Sequence, residues 1–326
     1  MTLKDIAKEA GVSVGTVSKA FAGSDEIGIK TRERIFDIAR RNGCYEKYKK
    51  DKYSQKVIAI ICPELGSEFY TRIVDEFEKY LNSKYGAVVN ISISRFDSER
   101  EKELFEYHAF VQKVDGIIVI GAAEKIVNSG YVPMILMDTE SKNFDKVGWD
   151  MKKAIMEAVK YLKDRGHTEI GYIGEKRTRG KYEGYVSAMK EYKLESKNEY
   201  VKVSEKRFED GGYEAMSEII SGGVLPTAII AAYDYMAIGA IRCIKEHGLS
   251  VPGDISVMGI DNISADRYLD IPLTSIHIPF DNLFESAADM LMKKINNKYY
   301  VSDSDVIAQC GIIERKSVRD IRETRS

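Results

Sequence analysis

Cysteine, proline, tryptophan and histidine are all scarce: 326 residues contain 4 Cys, 6 Pro, 1 Trp and 4 His. Cys44, Cys62, Cys243 and Cys310 stand far apart with no short paired spacing, so neither a disulfide framework nor a cysteine-ligated zinc site is suggested. They are expected as reduced, buried thiols. His108, His167, His247 and His277 are equally dispersed, without metal-site spacing. No apolar run approaches the roughly 20 residues that span a bilayer, and the N-terminus is charged throughout, unlike a signal peptide. Catalytic signatures are missing as well. The glycines of GYIGEKRTRG fit neither G-x-G-x-x-G nor a Walker loop, and no serine lies in a G-x-S-x-G turn. No pair of carboxylates is singled out for glycosidase chemistry. The expectation is a non-enzyme with no cofactor and no metal, located in the cytoplasm and independent of membranes.

What is present is an uneven charge distribution. Residues 1–56 carry 13 Lys and Arg against 8 Asp and Glu, whereas the remaining 270 carry 36 against 43. A basic head on an acidic body suits a protein whose N-terminus alone meets a polyanion. With 44% hydrophobic residues, the chain has material for sizeable cores in two or three domains.

The head begins with TLKDIAKEAGVSVGTVSKAF, residues 2–21. Leu3, Ile6, Ala7 and Ala10 recur at helical spacing behind a Thr2 N-cap, and Asp5 suits the positive helix end. Gly11 breaks that helix and Ser13 caps a second one, in which Val17, Ala20 and Phe21 share a face. Ser13, Val14, Gly15, Thr16, Ser18 and Lys19 are left outside. A glycine turn between two short helices is the helix-turn-helix pattern, whose second helix lies in the DNA major groove. Small side chains at Val14 and Gly15 permit close approach; Ser13, Thr16, Ser18 and Lys19 offer hydrogen bonds to phosphates or bases. The plainer alternative is an ordinary helical cap. A third helix is expected over residues 29–41, with Gly28 as N-cap and Gly43 as the stop. Residues 44–56, CYEKYKKDKYSQK, nearly lack aliphatics and read as a linker.

From Val57 the pattern changes to short apolar runs alternating with helical stretches: VIAIIC, VVNISIS, GIIVIG, MILMD, IGYIG, AIIAA and SVMGI. Such alternation implies parallel sheets covered by helices on both faces, too many strands for one sheet, and therefore two α/β lobes. Ligands of such sheets bind beyond the carboxyl ends of the strands. Residues there include Phe69, Tyr70, Asp138, Asp150, Asp234 and Asp261. Carboxylates accept hydroxyl protons and flat rings cover a C–H face, which suits a polyhydroxylated ligand. Asp234 and Asp261 as helix caps, and Phe69 and Tyr70 as interface core, are the competing readings.

KDIAKEAGVSVGTVSKAFAG with TRERIFDIARRNG, then RGHTEIGYIG, KYEGYVSAM, DYMAIGAIRCIKEHGLSVPGDISVMGIDN, PLTSI and ERKS, resemble the LacI/GalR family of bacterial repressors over nearly the whole chain. The resemblance implies a helix-turn-helix head at residues 1–43 and a linker or hinge at 44–56. It also implies a two-lobed sensor like the periplasmic sugar-binding proteins, with limits of 57–149 plus 280–308 and 150–279 plus 309–326. It implies a cytoplasmic, nucleoid-associated homodimer on pseudo-palindromic double-stranded operator DNA, controlled by a sugar or sugar derivative. Thr2, Lys30, Arg32, Tyr45 and Tyr53 join the expected DNA contacts, and Lys181, Phe208 and Tyr233 the expected effector contacts. The chain departs from the family in three effector positions: Lys181 stands for an arginine, Tyr233 for an asparagine and Ile278 for a glutamine. In the hinge, Lys47, Tyr48, Lys52 and Ser54 replace the usual Pro, Asn, Arg and Leu. The leucine wedge into the minor groove is thus absent in that register, leaving Tyr53 as a substitute or the segment as a solvated basic tether. The tail RKSVRDIRETRS lacks a sustained heptad, so a dimer is expected in place of a coiled-coil tetramer. A sugar-binding protein without DNA function, a sugar-active enzyme, and a regulator with a protein co-effector are the alternatives.

Overall fold

The computed structural model describes residues 1–48, 55–121, 123–127, 130–137, 146–297, 300 and 306–322. Helix α1 (Leu3–Ala10) starts with a reciprocal capping box: the Asp5 N–H donates to Thr2 Oγ1 at 3.3 Å and the Thr2 N–H to Asp5 Oδ2 at 2.7 Å. Gly11 ends the helix at φ 63°, in the left-handed region that a side chain disfavours. Helix α2 (Val14–Phe21) is capped by Ser13, whose Oγ accepts from the Thr16 N–H at 3.0 Å. Helix α3 (Ile29–Arg41) completes the unit. Helices of eight residues are marginal alone, so the shared core of Ile6, Ala10, Val17, Phe21, Ile35 and Ile38 holds them.

The first residues after the expected head pack against it. Cys44 is buried, and a short helix α4 (Tyr45–Tyr48) brings the rings of Tyr45 and Tyr48 each to 5.9 Å from Phe21. The Tyr48 hydroxyl donates to the Met1 carbonyl at 2.9 Å. Three short helices leave Phe21 and Phe36 partly uncovered, and these tyrosines supply the missing apolar surface. Tyr53 lies outside the described residues.

The rest builds two sheets. The first contains β1 (Val57–Cys62), β2 (Val88–Ile93), β3 (Gly116–Ile120), β4 (Met134–Met137), β5 (Lys146–Trp149) and a late strand, β11 (Val306–Ala308), in the order β11-β5-β4-β3-β1-β2. The second contains β6 (Ile170–Glu175), β7 (Val201–Ser204), β8 (Ala228–Ala231), β9 (Ser256–Ile260), β10 (Thr274–His277) and β12 (Gly311–Ile313), in the order β12-β10-β9-β8-β6-β7. Each sheet reverses its winding after its second strand, which opens a crevice at the carboxyl ends of β1 and β3, and of β6 and β8. Helices α5 (Glu68–Tyr85) and α11 (Asp281–Asn296) cover one face of the first sheet, and α6 (Ser98–Glu106) serves the other. Helices α7 (Met151–Asp164) and α8 (Arg179–Glu191) pack together on the second sheet; α9 (Phe208–Ser221) and α10 (Asp234–Glu246) form the pair opposite. The chain passes between the lobes three times: after β5, after β10 and after β11.

Fully parallel sheets were the expectation, and the second departs from it: β12 runs antiparallel to β10. Only Gln309 and Cys310 separate β11 from β12, too few residues for a crossover that would restore parallel direction, and an edge strand needs only one neighbour.

Helices α9 and α10 approach backbone to backbone. A Cβ on Gly212 would stand 2.0 Å from the Met236 carbonyl oxygen, and one on Gly239 2.0 Å from that of Glu209. This contact fixes the ends of α9 and α10 that reach the crevice. Gly212→Ala should therefore lower stability by about 1–3 kcal/mol, read as an earlier urea midpoint; an unchanged midpoint would show that the helices have room to separate.

Candidate functional site

Two surfaces carry polar groups in excess of what packing requires. The first is the outer face of α2. Val14 is 40% exposed, Gly15 and Lys19 are exposed, and Thr16 and Ser18 are half-buried at the margin. Ser13 and Thr16 share a hydroxyl hydrogen bond of 2.9 Å, and Lys19 is paired with Glu26. Lys30 is exposed at the start of α3. Two expected contacts are turned to work inside the head. Arg32 donates to the carbonyls of Ser24 (2.7 Å) and Ile27 (3.2 Å), fixing the turn before α3. Tyr45 packs on Phe36 at 5.1 Å under the Arg40 guanidinium. Thr2 is exposed, with its hydroxyl engaged in the α1 cap.

The second surface is a cleft of about 840 Å³ between the lobes. Phe69, Tyr70, Asp150, Lys181, Phe208, Tyr233 and Asp261 all line it. Phe69 and Tyr70 stand edge to face at 4.9 Å on the first turns of α5, and Trp149 lies 5.7 Å from Phe69. Asp150 caps α7 through the Lys153 N–H at 2.9 Å. From the second lobe, Lys181 donates to the Ala232 carbonyl at 2.8 Å and stands 3.7 Å from Asp261. The Tyr233 hydroxyl accepts from the Phe208 N–H at 3.0 Å, and burial raises the Tyr233 phenol above its ordinary range. Ile278 is buried in the floor. Asp138 lies outside the described residues. The arrangement offers carboxylates, ammonium groups and several ring faces to a ligand. Among the described residues no cluster of His, Cys, Asp or Glu is placed to hold a metal ion, and no helix is long and apolar enough to cross a membrane.

Asp234 does not reach the cleft, which corrects its expected role as an effector contact. It is fully buried: Oδ1 accepts from the Ser275 hydroxyl at 2.7 Å and Oδ2 from the Ile263 N–H at 3.0 Å. Like the other candidates it follows a strand, but the first turn of α10 points its carboxylate back beneath the β9 loop. Asp266, also buried, is its partner. Loss of water raises both carboxyls, and their mutual repulsion adds to Asp234; Asp266 is pushed up to about 6. Above this pair the loop holds Asp261 at φ 107° and Asn262 at φ 51°, both strained for side-chain-bearing residues.

Sequence reasoning missed Glu64, Phe96, Glu175, Arg177 and Arg207, all of which line the cleft. Arg207 forks onto Glu64 at 2.7 and 2.9 Å, and this carboxylate keeps the guanidinium firmly protonated. The rule that ligands gather beyond strand ends would have flagged Glu64 after β1 and Glu175 at the end of β6.

Residues 2–43 match the family of bacterial regulatory proteins of the lacI type, and residues 159–318 match the periplasmic binding protein-like domain. HTH-type transcriptional repressor PurR of Pasteurella multocida is 31% identical over 98% of this chain and 98% of its own length. That of Pectobacterium atrosepticum is 32% identical over 98% and 97%. The fold is shared with the lac repressor dimer bound to operator and the anti-inducer ONPF (TM-score 0.74, 21% identity, 98% of this chain and 99% of that one). It is also shared with the transcriptional regulator CelR–cellobiose complex (0.71, 23%, 97% and 99%).

The buried pair makes stability depend on pH. Carboxyls raised in the fold bind more protons than the unfolded chain, whose aspartates titrate near 4 (about 3.9). The Asp266 contribution is complete below that value and is lost as pH rises through about 6. Asp266→Asn, which keeps the shape without the charge, should therefore gain on the wild type between those limits, by on the order of 2 kcal/mol. Urea unfolding at a series of pH values measures it; parallel curves for the two proteins would show that the pair is ionised without cost.

Proposed function

This chain belongs to the lacI family of bacterial regulatory proteins, and from that premise we propose that it is a transcriptional repressor governed by a carbohydrate-like effector in its interlobe cleft. It works without catalysis, as a homodimer in the cytoplasm on nucleoid DNA. The head is residues 1–43 and the linker 44–56; the lobes are 57–149 with 280–308, and 150–279 with 309–326. The observation that supports DNA reading most is the small, polar and uncovered face at the start of α2, held by the Ser13 cap. Ser13, Val14, Gly15, Thr16, Ser18 and Lys19 then meet the major groove, Thr2 and Lys30 meet phosphates, and Arg32 and Tyr45 act by holding the head in shape. Tyr53 belongs to the tether. Two heads related by a two-fold axis imply a pseudo-palindromic operator.

The effector reading draws on acids and aromatic faces in one cleft. Phe69, Tyr70, Phe208 and Tyr233 give ring surface, Asp150 and Asp261 accept hydroxyl protons, and Lys181 donates; Asp138 completes the proposed set, with Asp234 supporting from below. Effector binding shifts the population of lobe arrangements, so effector and operator affinities are coupled reciprocally.

Selection of duplexes from a random library, followed by salt titration of the winner, tests the DNA reading. Log affinity should fall against log salt with a slope of about −0.9 per phosphate neutralised; no enrichment at any salt concentration would remove it. A thermal-shift screen of sugars and sugar derivatives tests the effector class, because a ligand at 100 times its Kd stabilises by about 2.7 kcal/mol. Silence across all carbohydrates would refute that class and leave DNA reading intact.

A further inference from the structure

The cleft is bridged by charges of the protein itself. Glu64, just beyond β1 in the first lobe, receives both Nη groups of Arg207, which precedes α9 in the second, at 2.7 and 2.9 Å. The parallel fork is the strongest geometry available to this pair. The guanidinium lies 4.5 Å from the ring of Phe208 in its own lobe and 5.0 Å from that of Phe96 across the cleft. The same Phe96 ring receives Arg177 of the second lobe at 4.7 Å. With side chains only 24% and 16% exposed, Arg207 and Glu64 are screened weakly by salt and water.

The first-lobe half of this bridge is held in place. Arg95 and Phe96 stand at φ 59° and 60°, both in the left-handed region. Their loop is tied to that of Glu64, since the Ser94 N–H donates to the Cys62 carbonyl and the Arg95 N–H to the Pro63 carbonyl, each at 2.9 Å. The second-lobe half is self-sufficient. Glu175, only 4% exposed, stands 3.6 Å from Arg207 Nε and also accepts from the Arg177 N–H at 2.8 Å.

We propose that Arg207 is a positioning residue, a releasable clamp that sets the spacing of the two lobes through Glu64 and Phe96. On opening, Arg207 gives up both first-lobe partners together while keeping Glu175 and Phe208, so its charge is never left buried and unpaired. That distinguishes a clamp from a permanent bridge: the closed arrangement is favoured and the open one remains accessible. The clamp rests on the reading of this cleft as the effector site and adds what holds its walls together. A separate cross-lobe contact, Glu68 to the N–H and hydroxyl of Ser264 at 2.7 Å each, is untouched by the variants below.

Trp149, the single tryptophan of the sequence, lines the cleft and is 8% exposed, so its emission reports closure directly. The full-length chain is compared with Glu64→Gln, Arg207→Lys and the double variant. Lysine keeps a charge beside Glu175 and loses the fork. Glu64→Gln should shift emission to the red, raise acrylamide quenching several-fold and enlarge the radius of gyration in X-ray scattering. In the Arg207→Lys background the same substitution should have a smaller effect, because the interaction it removes is already weakened. Wild-type values in Glu64→Gln, or equal increments in both backgrounds, overturn the clamp. Neither operator nor carbohydrate enters this test. Failure of the ligand screen therefore bears on the effector reading, and failure here bears on the clamp.

Discussion

In a parallel sheet every strand ends at the same edge, and in this chain two such edges face each other. The constraint decides where chemistry can be placed. The central strands are mostly apolar and buried, as in β3, whose five residues are all buried, so the charged groups of the cleft stand at the strand ends or in the loops after them. Because both sheets share one winding order, each contributes its loops to the same cleft: Glu64 and Phe96 from the first, Glu175, Arg177, Arg207, Tyr233 and Asp261 from the second. The late strands β11 and β12 then return one to each sheet, so the lobes are joined by three passages of chain.

Much of this was legible because it is local. The caps at Thr2 and Ser13, the Gly11 break and the bounds of α3 follow from residues within one or two helical turns of each other. The apolar runs announced β1, β2, β3, β4, β6, β8 and β9. Strands β5 (KVGW) and β7 (VKVS) carry a lysine and no continuous apolar run, β11 and β12 have three residues each, and their pairing comes from neighbours distant in the chain. The same distance hid the clamp. Glu64 and Arg207 are 143 residues apart and each reads as an ordinary surface charge; only the two sheet edges bring them together. Asp234 shows the opposite failure. Its position after a strand resembles that of Asp261, but hydrogen-bond partners at Ile263 and Ser275 turn it inward.

That inward turn has a use. The loop presenting Asp261 is backbone-strained, and strain persists only where the surroundings over-determine it. Asp234 holds the Ile263 N–H, the Ser275 hydroxyl takes the Asn262 N–H at 3.0 Å, and Arg315 grips the Asn262 side chain at 2.6 Å. Gly259 is required here, since a Cβ would stand 2.0 Å from Asp234 Oδ1. A buried carboxyl pair, costly by itself, thus anchors the cleft-facing Asp261 carboxylate above it.

The path from cleft to head is equally constrained. Lys56 and the Val57 N–H are both fastened to Asp115 at 2.8 Å where β1 begins, and its other end leads into Glu64. Strand β1 is hydrogen-bonded on both sides, to β2 and β3, and cannot slide between them without breaking two ladders. In the proposed clamp, a change at Glu64 is therefore passed on as rotation of the whole first lobe. For the proposed dimer, whose half-sites would lie about 34 Å apart, such rotation alters the separation of the heads. Turning a 1:99 population into 99:1 takes about 5.5 kcal/mol of differential affinity. Contacts with Phe69 and Tyr70 alone supply none of it, because they are the same at every lobe angle. Only a ligand that touches these rings and the Lys181, Phe208 and Asp261 wall at once distinguishes the two arrangements. In the proposed switch, the span of the ligand across the cleft therefore counts as much as its hydroxyl groups.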